Sequence, residues 1–166
     1  MSELASFKQA MRLLVTGVSI IATRSALGGW HGLTATAVTS ATAEPPTLLC
    51  CVNRSASAAP HIAESGVFSV NLLPISATGV SQRFSGQGPA EERFTPGEWL
   101  TLATGAPILR AALTAFDCRI LQQMQVGTHF IFLGQVEAIH LAEAPAQPLL
   151  YGMGAYGAFQ PRDAHG

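Results

Sequence analysis

The sequence predicts a mainly β domain, an antiparallel barrel with one N-terminal helix and a few short helices. Roughly seven runs rich in apolar or β-branched residues are separated by short turns, a spacing typical of antiparallel barrels. Helical periodicity appears only at the start of the chain and in short segments between strands. The strands do not alternate with long helical segments, so the pattern favours a barrel over a parallel α/β sheet.

The first elements follow from periodicity and turn residues. Residues 3–13 predict an amphipathic helix, because Leu, Phe and Met side chains recur there on one helical face. The β-branched run at 18–23 predicts a strand. A Gly-Gly turn at 27–30 then predicts a hairpin into a second strand over 32–40.

The middle of the chain contains two further strands and two short helices. The apolar runs 47–52 and 67–72 predict strands. Between them, the Ala-rich residues 55–65 predict a helix that ends at a glycine C-cap. Residues 75–97 mix Gly, Pro, Ser and charge, and we expect an irregular region with a short helix over 77–84.

The strand pattern returns in the last third of the chain. Two long runs, 113–125 and 129–141, predict a hairpin whose turn is Gly127-Thr128. The tail, 149–157, predicts a short strand followed by a Gly-rich turn with two tyrosines.

Composition limits the class of protein. A chain of 166 residues predicts a single domain, 1–166. Charged residues make up 11%, well below the roughly 25% of an average soluble domain, and so apolar a surface indicates burial in an oligomer. The net charge is −1 and no basic run occurs, which argues against nucleic acid as a partner.

The sequence also indicates the compartment. No apolar run reaches the roughly 18 residues of a membrane span, so no membrane is expected. The three cysteines, Cys50, Cys51 and Cys118, form no Cys-x-x-Cys, and neither a zinc site nor a disulfide framework is indicated. The first residues lack the apolar core of a signal peptide. We therefore expect a cytoplasmic protein.

The stretch from Gly32 to Ser57 carries the clearest binding pattern. From Thr34 to Ser40 it alternates in period two, and no side chain is larger than Val. Small side chains let a flat ligand lie against the backbone, where N–H groups and threonine hydroxyls can donate hydrogen bonds. A plain Ala/Thr-rich edge strand would show the same pattern, so both interpretations stay open here.

The end of this stretch offers a place for an anion. Asn53 and Ser55 are good helix N-cap residues, and Arg54 lies between them. A helix N-terminus with a cation and free hydroxyls favours phosphate. An ordinary capped helix without a ligand remains the alternative.

These motifs resemble the short-chain flavin reductases, the reductase components of two-component flavin monooxygenases. The resemblance covers nearly the whole chain, in the family's order. Thr128 stands where the family commonly has Asp, whereas His129 is retained. The segments that carry the resemblance are Phe7–Thr23, Gly32–Ser57, Gly66–Asn71, Glu92–Phe94 with Trp99, Gly127–His129, and Pro148–Tyr151 followed by Tyr156-Gly157.

The resemblance implies an FMN-binding split β-barrel that binds FMN or FAD and pairs as a homodimer. It implies Cys51 among the cofactor-side residues. Arg83, Phe84 and Ser85 could close over the flavin tail, although Phe84 would equally suit a core position. The residues implied to line the flavin ring are Thr34, Thr36, Ala37, Val38 and Thr39. Those implied to hold the tail phosphate are Asn53, Arg54, Ser55 and Ser57.

The donor side of the site is expected around His129. A lone histidine after a turn is commonly a surface residue, but the resemblance implies that His129 positions the nicotinamide of NADH or NADPH. Tyr156, in its Gly-rich setting, is a second candidate for this pocket.

The activity implied by the resemblance is NAD(P)H-dependent reduction of flavin, which is then passed to a separate oxygenase. Two other functions stay open at the level of sequence. One is a flavoprotein of the same barrel whose flavin works in place, as in an oxidase. The other is a non-enzymatic dimer that binds flavin or haem.

Overall fold

The computed structural model describes residues 2–87 and 89–162 as twelve strands and three α-helices. Two short 3₁₀ turns, Ile75–Ala77 and Ala90–Glu92, flank the third helix. The helices are α1 (Glu3–Met11), α2 (Ala59–Ser65) and α3 (Thr78–Phe84). The strands are β1 (Thr16–Gly17), β2 (Ser19–Arg24), β3 (Trp30–Ala35), β4 (Val38–Ala43), β5 (Pro46–Asn53), β6 (Val67–Leu72), β7 (Trp99–Thr101), β8 (Pro107–Leu109), β9 (Thr114–Val126), β10 (His129–Leu141), β11 (Leu149–Gly152) and β12 (Ala155–Ala158).

Seven of the strands form one antiparallel sheet in the order β3-β2-β6-β9-β10-β5-β4. The long hairpin β9–β10 lies at its centre, and Gly127, with φ 54°, makes the tight turn between the two strands. Smaller sheets, β1-β11-β12 and β7-β8, pack beside it. The predicted mainly β split barrel is confirmed.

The predicted strand over 32–40 is wrong, because the chain crosses there from one edge of the sheet to the other. β3 ends at Ala35 and pairs with β2, whereas β4 begins at Val38 and pairs with β5. Residues 36–37 bridge the two edges, and the Ala37 carbonyl accepts a 3.0 Å hydrogen bond from the Cys51 N–H. We call 36–37 the crossing; it lies at the split of the barrel.

The predicted helix over 55–65 is also wrong at its start. The helix begins at Ala59 and makes no side-chain cap bond. Asn53 instead forms a local turn, in which its Oδ1 accepts hydrogen bonds of 2.9 Å from the N–H and the hydroxyl of Ser55. The Asn and Ser side chains therefore stabilise a turn rather than a helix N-terminus. The glycine C-cap is confirmed, with Gly66 at φ 70°.

Two hydrophobic clusters lie on opposite faces of the sheet. Ile21 belongs to the interior cluster with Phe68, Phe132 and α2. Ile20, the next residue, belongs to an outer cluster under the segment 73–112, with Phe84 and Trp99. Because successive side chains of a strand alternate, β2 is buried on both of its faces. This accounts for its unbroken apolar sequence.

The β7–β8 hairpin was missed by the sequence analysis because buried polar side chains hold it in place. Asn71, fully buried on β6, accepts a 2.8 Å hydrogen bond from the Leu109 N–H through its Oδ1. Asp117, fully buried on β9, accepts hydrogen bonds from the Thr104 N–H and hydroxyl. Such contacts between distant residues leave no periodic pattern in the sequence.

A substitution at Gly134 tests the packing of the barrel interior. An added Cβ would overlap the Phe68 ring, 2.6 Å from its Cε1 and nearer still to its Cζ, and would lie 3.0 Å from the Cys118 Cβ. We therefore expect Gly134→Ala to lower the free energy of unfolding by about 1–3 kcal/mol through overpacking. Urea unfolding followed by circular dichroism measures this change.

Gly79→Ala on α3 is the matched control, because its Cβ would meet nothing within 4 Å. We expect that variant to gain about 0.5–1 kcal/mol from its higher helix propensity. Equal stability of the two variants would contradict the proposed packing at Gly134.

Candidate functional site

Two clefts lie in this region: a small cleft beside the end of β3 and a large cleft beside the crossing. Both are within the usual size of ligand sites, about 300–1,000 Å³. The small cleft has a volume of about 330 Å³ and the large cleft about 760 Å³. The small cleft is lined by Gly32, Leu33, Thr34, Ala56, Ser57, Phe84, Ser85, Gly86 and Arg93. The large cleft is lined by Phe7, Lys8, Met11, Arg12, Leu14, Thr16, Thr36, Ala37, Tyr151, Gly152 and Gly154.

The small cleft is formed by a close approach of α3 to β3. A Cβ on Gly32 would lie 2.8 Å from the Phe84 ring, so only glycine lets the ring lie against the backbone here. Phe84 is 3% exposed and packs against Phe94 and Trp99, with ring centroids 5.0 and 5.6 Å away. It is therefore a core residue, one of the two positions that the sequence left open, and it also lines the small cleft.

A chain of hydrogen bonds joins the small cleft to the C-terminal hairpin. The Thr34 hydroxyl donates a 2.6 Å hydrogen bond to the Ser81 carbonyl. The Ser81 hydroxyl, which is fully buried, lies 2.8 Å from the Tyr156 hydroxyl. Tyr156 also packs edge-on against Tyr151, 5.5 Å away, on the wall of the large cleft. β12 is thereby held beside β3 and α3.

The large cleft lies between α1, the crossing and the C-terminal hairpin. Thr36 and Ala37 contribute small side chains, whereas Lys8 and Arg12 contribute positive charge. Arg12 is held at the hairpin, because its carbonyl accepts a hydrogen bond of 2.6 Å from the Met153 N–H. The cleft thus combines an open backbone surface with cations on one side.

The Asn53–Ser55 turn lies at the C-terminal end of β5, next to the start of β10. The Arg54 N–H donates a 2.9 Å hydrogen bond to the Thr128 carbonyl. Its guanidinium lies over the Phe130 ring, 5.9 Å from the ring centroid. Arg54 is exposed and lines neither cleft.

His129 belongs to this same turn region. It pairs directly with Asn53 across β5 and β10, and its Nδ1 lies 2.9 Å from the Thr128 hydroxyl. The side chain is exposed. Thr128, where a carboxylate was expected, thus orients the histidine ring through a hydroxyl. Among the described residues no contact joins His129 to Tyr156. The two residues predicted to lie beside the nicotinamide are therefore in different parts of the structure.

The remaining predicted residues lie along β4 and β5. Val38, half-buried, pairs with Cys50, while Thr39 is exposed. Cys51 is half-buried and is tied to the crossing through its backbone N–H. The residues predicted to form the site therefore lie in three places: the small cleft, the crossing together with β4, and the Asn53–Ser55 turn with the neighbouring His129.

Arg93 is a functional candidate that the sequence analysis missed. Arg93 lines the small cleft, and its Nε is buried without a hydrogen-bond partner among the described residues. The sequence contains Arg93 within the Glu92–Phe94 motif but gives no indication of what it faces.

The described residues contain no group of three His, Cys, Asp or Glu side chains that could hold a metal ion. None of the helices in that part of the chain is long and apolar enough to cross a membrane. All three cysteines are unpaired. Burial raises the pKa of Cys50, and burial together with the Asp117 carboxylate raises the pKa of Cys118 to about 12.

A family model matches most of the chain. The model described as flavin reductase like domain covers residues 11–160. The FMN reductase (NADH) RutF 2 of Methylorubrum extorquens (strain PA1) is 44% identical over 148 residues, which cover 89% of this chain and 84% of that protein. The FMN reductase (NADH) RutF of Klebsiella pneumoniae (strain 342) is 42% identical over 161 residues, covering 97% and 98% of the two chains.

Solved structures agree with the fold. The styrene monooxygenase flavin reductase from Pseudomonas putida S12 superposes with a TM-score of 0.84 at 30% identity, covering 95% of this chain and 99% of that chain. A flavin reductase domain protein from Arthrobacter sp. FB24 has a TM-score of 0.88 at 28% identity, covering 98% and 99%.

The burial of the cysteines predicts selective alkylation. Cys51 is half-buried, whereas Cys50 and Cys118 are fully buried thiols with raised pKa values. Because the thiolate is the reactive form, we expect iodoacetamide at pH 8 to modify Cys51 alone in the native protein.

Intact-mass spectrometry should show one adduct before unfolding and three after unfolding in urea, matching the three cysteines of the chain. A Cys51→Ser control should show none in the native state. Native modification of all three thiols at one rate would contradict the burial of Cys50 and Cys118.

Proposed function

This chain belongs to the flavin reductase like family, and we propose that it is an NAD(P)H:flavin oxidoreductase that transfers hydride from a nicotinamide to FMN or FAD. The relatives named FMN reductase (NADH) support NADH and FMN as the preferred pair. The observation that carries the proposal is the crossing, whose small side chains line the large cleft, while the end of β3 just before it lines the small cleft.

The described residues fit a flavin. The ring is flat and apolar, and Thr36 and Ala37 leave the backbone open at the wall of the large cleft. The tail is polar and phosphorylated, and the small cleft offers the Ser57 and Ser85 hydroxyls with one guanidinium. We propose the ring at the crossing, flanked by Val38, Thr39 and Cys51, and the tail at the small cleft. The Asn53–Ser55 turn supplies Arg54 as an alternative cation for the phosphate.

The protein contributes to the reaction by holding the two reacting rings in position. The flavin, when bound, supplies the hydride acceptor, and the chain needs no acid–base pair for that step. Holding two rings with the reacting atoms about 3–3.5 Å apart can supply roughly 7–11 kcal/mol of the barrier. The residues of the crossing fix one ring, and the open volume of the large cleft leaves room for a second ring above it.

We propose that His129 helps to position the nicotinamide. Its ring is exposed and is oriented by the Thr128 hydroxyl, which suits a residue that contacts a ligand rather than the core. Tyr156 is already engaged with Ser81, so its proposed role is to hold the C-terminal hairpin at the pocket wall.

A homodimer is the proposed assembly. No residue of α1 is buried, and Leu4 and Phe7 on its apolar face are 62% and 63% exposed. Leu121 and Val126, at the free end of the β9–β10 hairpin, are each 55% exposed. A second copy that covers these side chains would remove apolar surface from water at about 25 cal/mol per Å².

The reduced flavin is proposed to pass to a separate oxygenase. Support comes from the styrene monooxygenase flavin reductase, a structural relative of this chain. The three unpaired cysteines favour a reducing compartment, in accord with a proposed cytoplasmic location.

The activity is tested by mixing the protein with FMN and NADH in the absence of oxygen. We expect the visible flavin band to bleach at a rate that increases with protein concentration. Replacing NADH with NADPH, and FMN with FAD, defines the preferred pair. Binding of FMN without bleaching would contradict a reductase and favour a binding module.

Ala37→Leu tests the ring position. A Leu side chain at the crossing would occupy the wall against which the ring is placed, so we expect FMN affinity to fall at least tenfold. Ala41→Leu, on the exposed part of β4 and outside both clefts, is the matched control and should bind FMN normally. Fluorescence titration measures both variants. Normal binding by the Ala37 variant would show that the ring lies elsewhere.

His129→Ala tests the donor side. We expect kcat/KM for NADH to fall about tenfold to hundredfold, or roughly 1.4–2.7 kcal/mol of transition-state stabilisation, with FMN affinity nearly unchanged. Stopped-flow reduction and FMN titration separate the two effects. Because His129 pairs with Asn53, a collapse of FMN binding would instead place it on the flavin side. His140→Ala, on the same strand, is the control.

A further inference from the structure

We propose that His31 and His61 form a pH-sensitive clasp that holds α2 against β3 at neutral pH and loosens in acid. The inference goes beyond the proposed function, because it concerns the attachment of a helix and neither substrate of the reaction. Three observations carry it: the contact between the two rings, the groups that surround them, and the elements that they join.

The first observation is the contact between the two imidazole rings. Their centroids are 3.6 Å apart and their planes are inclined by only 18°, so the rings stack face to face. Both side chains are half-buried. Two neutral rings pack favourably at this distance, which is near the optimum for dispersion. Two protonated rings would instead place like charges well within the screening length of about 8 Å at physiological ionic strength. The contact therefore favours neutral rings and opposes a second proton.

The second observation is that no other group fixes the charge of the two rings. Among residues 2–87 and 89–162 neither ring has a hydrogen-bond partner, whereas His129 and His140 each have one, 2.9 and 3.2 Å away. Strand β2 presents Thr23 opposite His31, and that side chain is uncharged. The turn between β2 and β3, residues 25–29, contains no charged residue. The two rings are thus each other's principal polar neighbours.

The charged residues on the neighbouring elements do not offset a proton on the pair. Arg24 on β2 is a cation and donates a 3.0 Å hydrogen bond to a backbone carbonyl. Arg93, on the small cleft beside β3, is a second cation. Glu64 on α2 is exposed and makes no ion pair within 4.0 Å to a described residue. Burial, and then the charge of His61, lower the pKa of His31.

The third observation concerns the elements that the pair joins. His31 lies on β3, an edge strand of the seven-stranded sheet, and His61 lies in the first turn of α2, which begins without a side-chain cap. At the other end of α2, the Ser65 hydroxyl lies 2.9 Å from the Thr23 hydroxyl of β2. The stacked rings are therefore the polar link at the start of the helix. The residues just before α2, 56–57, line the small cleft together with β3.

The direction of the pH effect follows from the lowered pKa of His31. The packed state disfavours the charged ring, so the opened state takes up a proton more readily. The contact is fully stabilising above the ordinary histidine pKa of 6.5, and that stabilisation is lost as the pH falls below this value. We therefore expect α2 to open more often at pH 5 than at pH 7.5.

Hydrogen exchange of the full chain measures this opening. The reporter is the Ile62 amide, which donates to the Ala58 carbonyl across the first turn of α2. Its protection factor, corrected for the intrinsic exchange rate at each pH, should fall about threefold to tenfold between pH 7.5 and pH 5. The Ser85 amide, which donates to the Ser81 carbonyl at the end of α3, is the internal reference and should change less.

His31→Phe separates the clasp from other effects of acid. The variant keeps a flat ring in the stack and leaves His61 as the one ring of the pair that can take up a proton. We expect the protection of the Ile62 amide to change by less than about twofold between the two pH values. His140→Phe replaces another half-buried histidine, on β10, and is the matched control that should retain the loss seen in the parent protein.

A second measurement covers the case in which His31→Phe does not fold. The imidazole signals of the parent protein are followed by NMR between pH 8 and pH 4.5. We expect the pair to protonate in two separate steps, as coupled groups do, with His31 below the ordinary range. In His61→Phe, which keeps the ring and removes its charge, His31 should titrate at a higher pH than in the parent protein.

Two results would overturn the clasp. One is an equal loss of protection at the Ile62 amide in the parent protein and in His31→Phe. The other is a His31 ring that titrates at the ordinary histidine pKa in the parent protein, or whose titration is unchanged by His61→Phe. The assay with FMN and NADH is independent of both results, so the proposed function stands or falls separately.

Discussion

The long antiparallel hairpin β9–β10 is the constraint on which the rest of the barrel depends. Its twelve paired positions run from Thr114–Leu141 to Val126–His129. β6 pairs with one outer side of it and β5 with the other, and the edge strands attach only through these two. Each half of the sheet is thereby fixed in register against the same hairpin. The crossing connects the edge strands of these two halves, β3 and β4. Its position, and the position of both clefts, therefore depends on where those two strands lie.

The candidate site forms where the backbone ladder is interrupted. Within the sheet, N–H and C=O groups are taken by neighbouring strands, whereas the crossing connects two strand edges that do not pair with each other. Small side chains keep that region open, and α3 and the C-terminal hairpin wall it in through Phe84 and the Ser81–Tyr156 contact. The candidate binding surface thus lies where the ladder does not require large core side chains.

Much of the fold was predictable from local pattern, and the failures have physical causes. The runs 67–72 and 129–141 were predicted at their observed bounds, because apolar strands between glycine turns are specified locally. The alternation from 34 to 40 is the same whether the residues form one strand or end one and begin another, so the crossing was invisible. Asn and Ser are favoured both at helix N-caps and in turns, so Asn53 and Ser55 did not distinguish the two structures. Arg93 could be placed only by the packing of a distant segment, since the cleft that it lines is also lined by residues 32–34 and 56–57.

The crossing has a further consequence for how such a barrel can vary. The register of β3 is set by β2 and that of β4 by β5, independently of each other. One or two residues inserted at 36–37 would therefore lengthen the connection without shifting a single ladder pair. The width of the candidate ring surface at the crossing can consequently change while the pairing of both sheet edges stays the same.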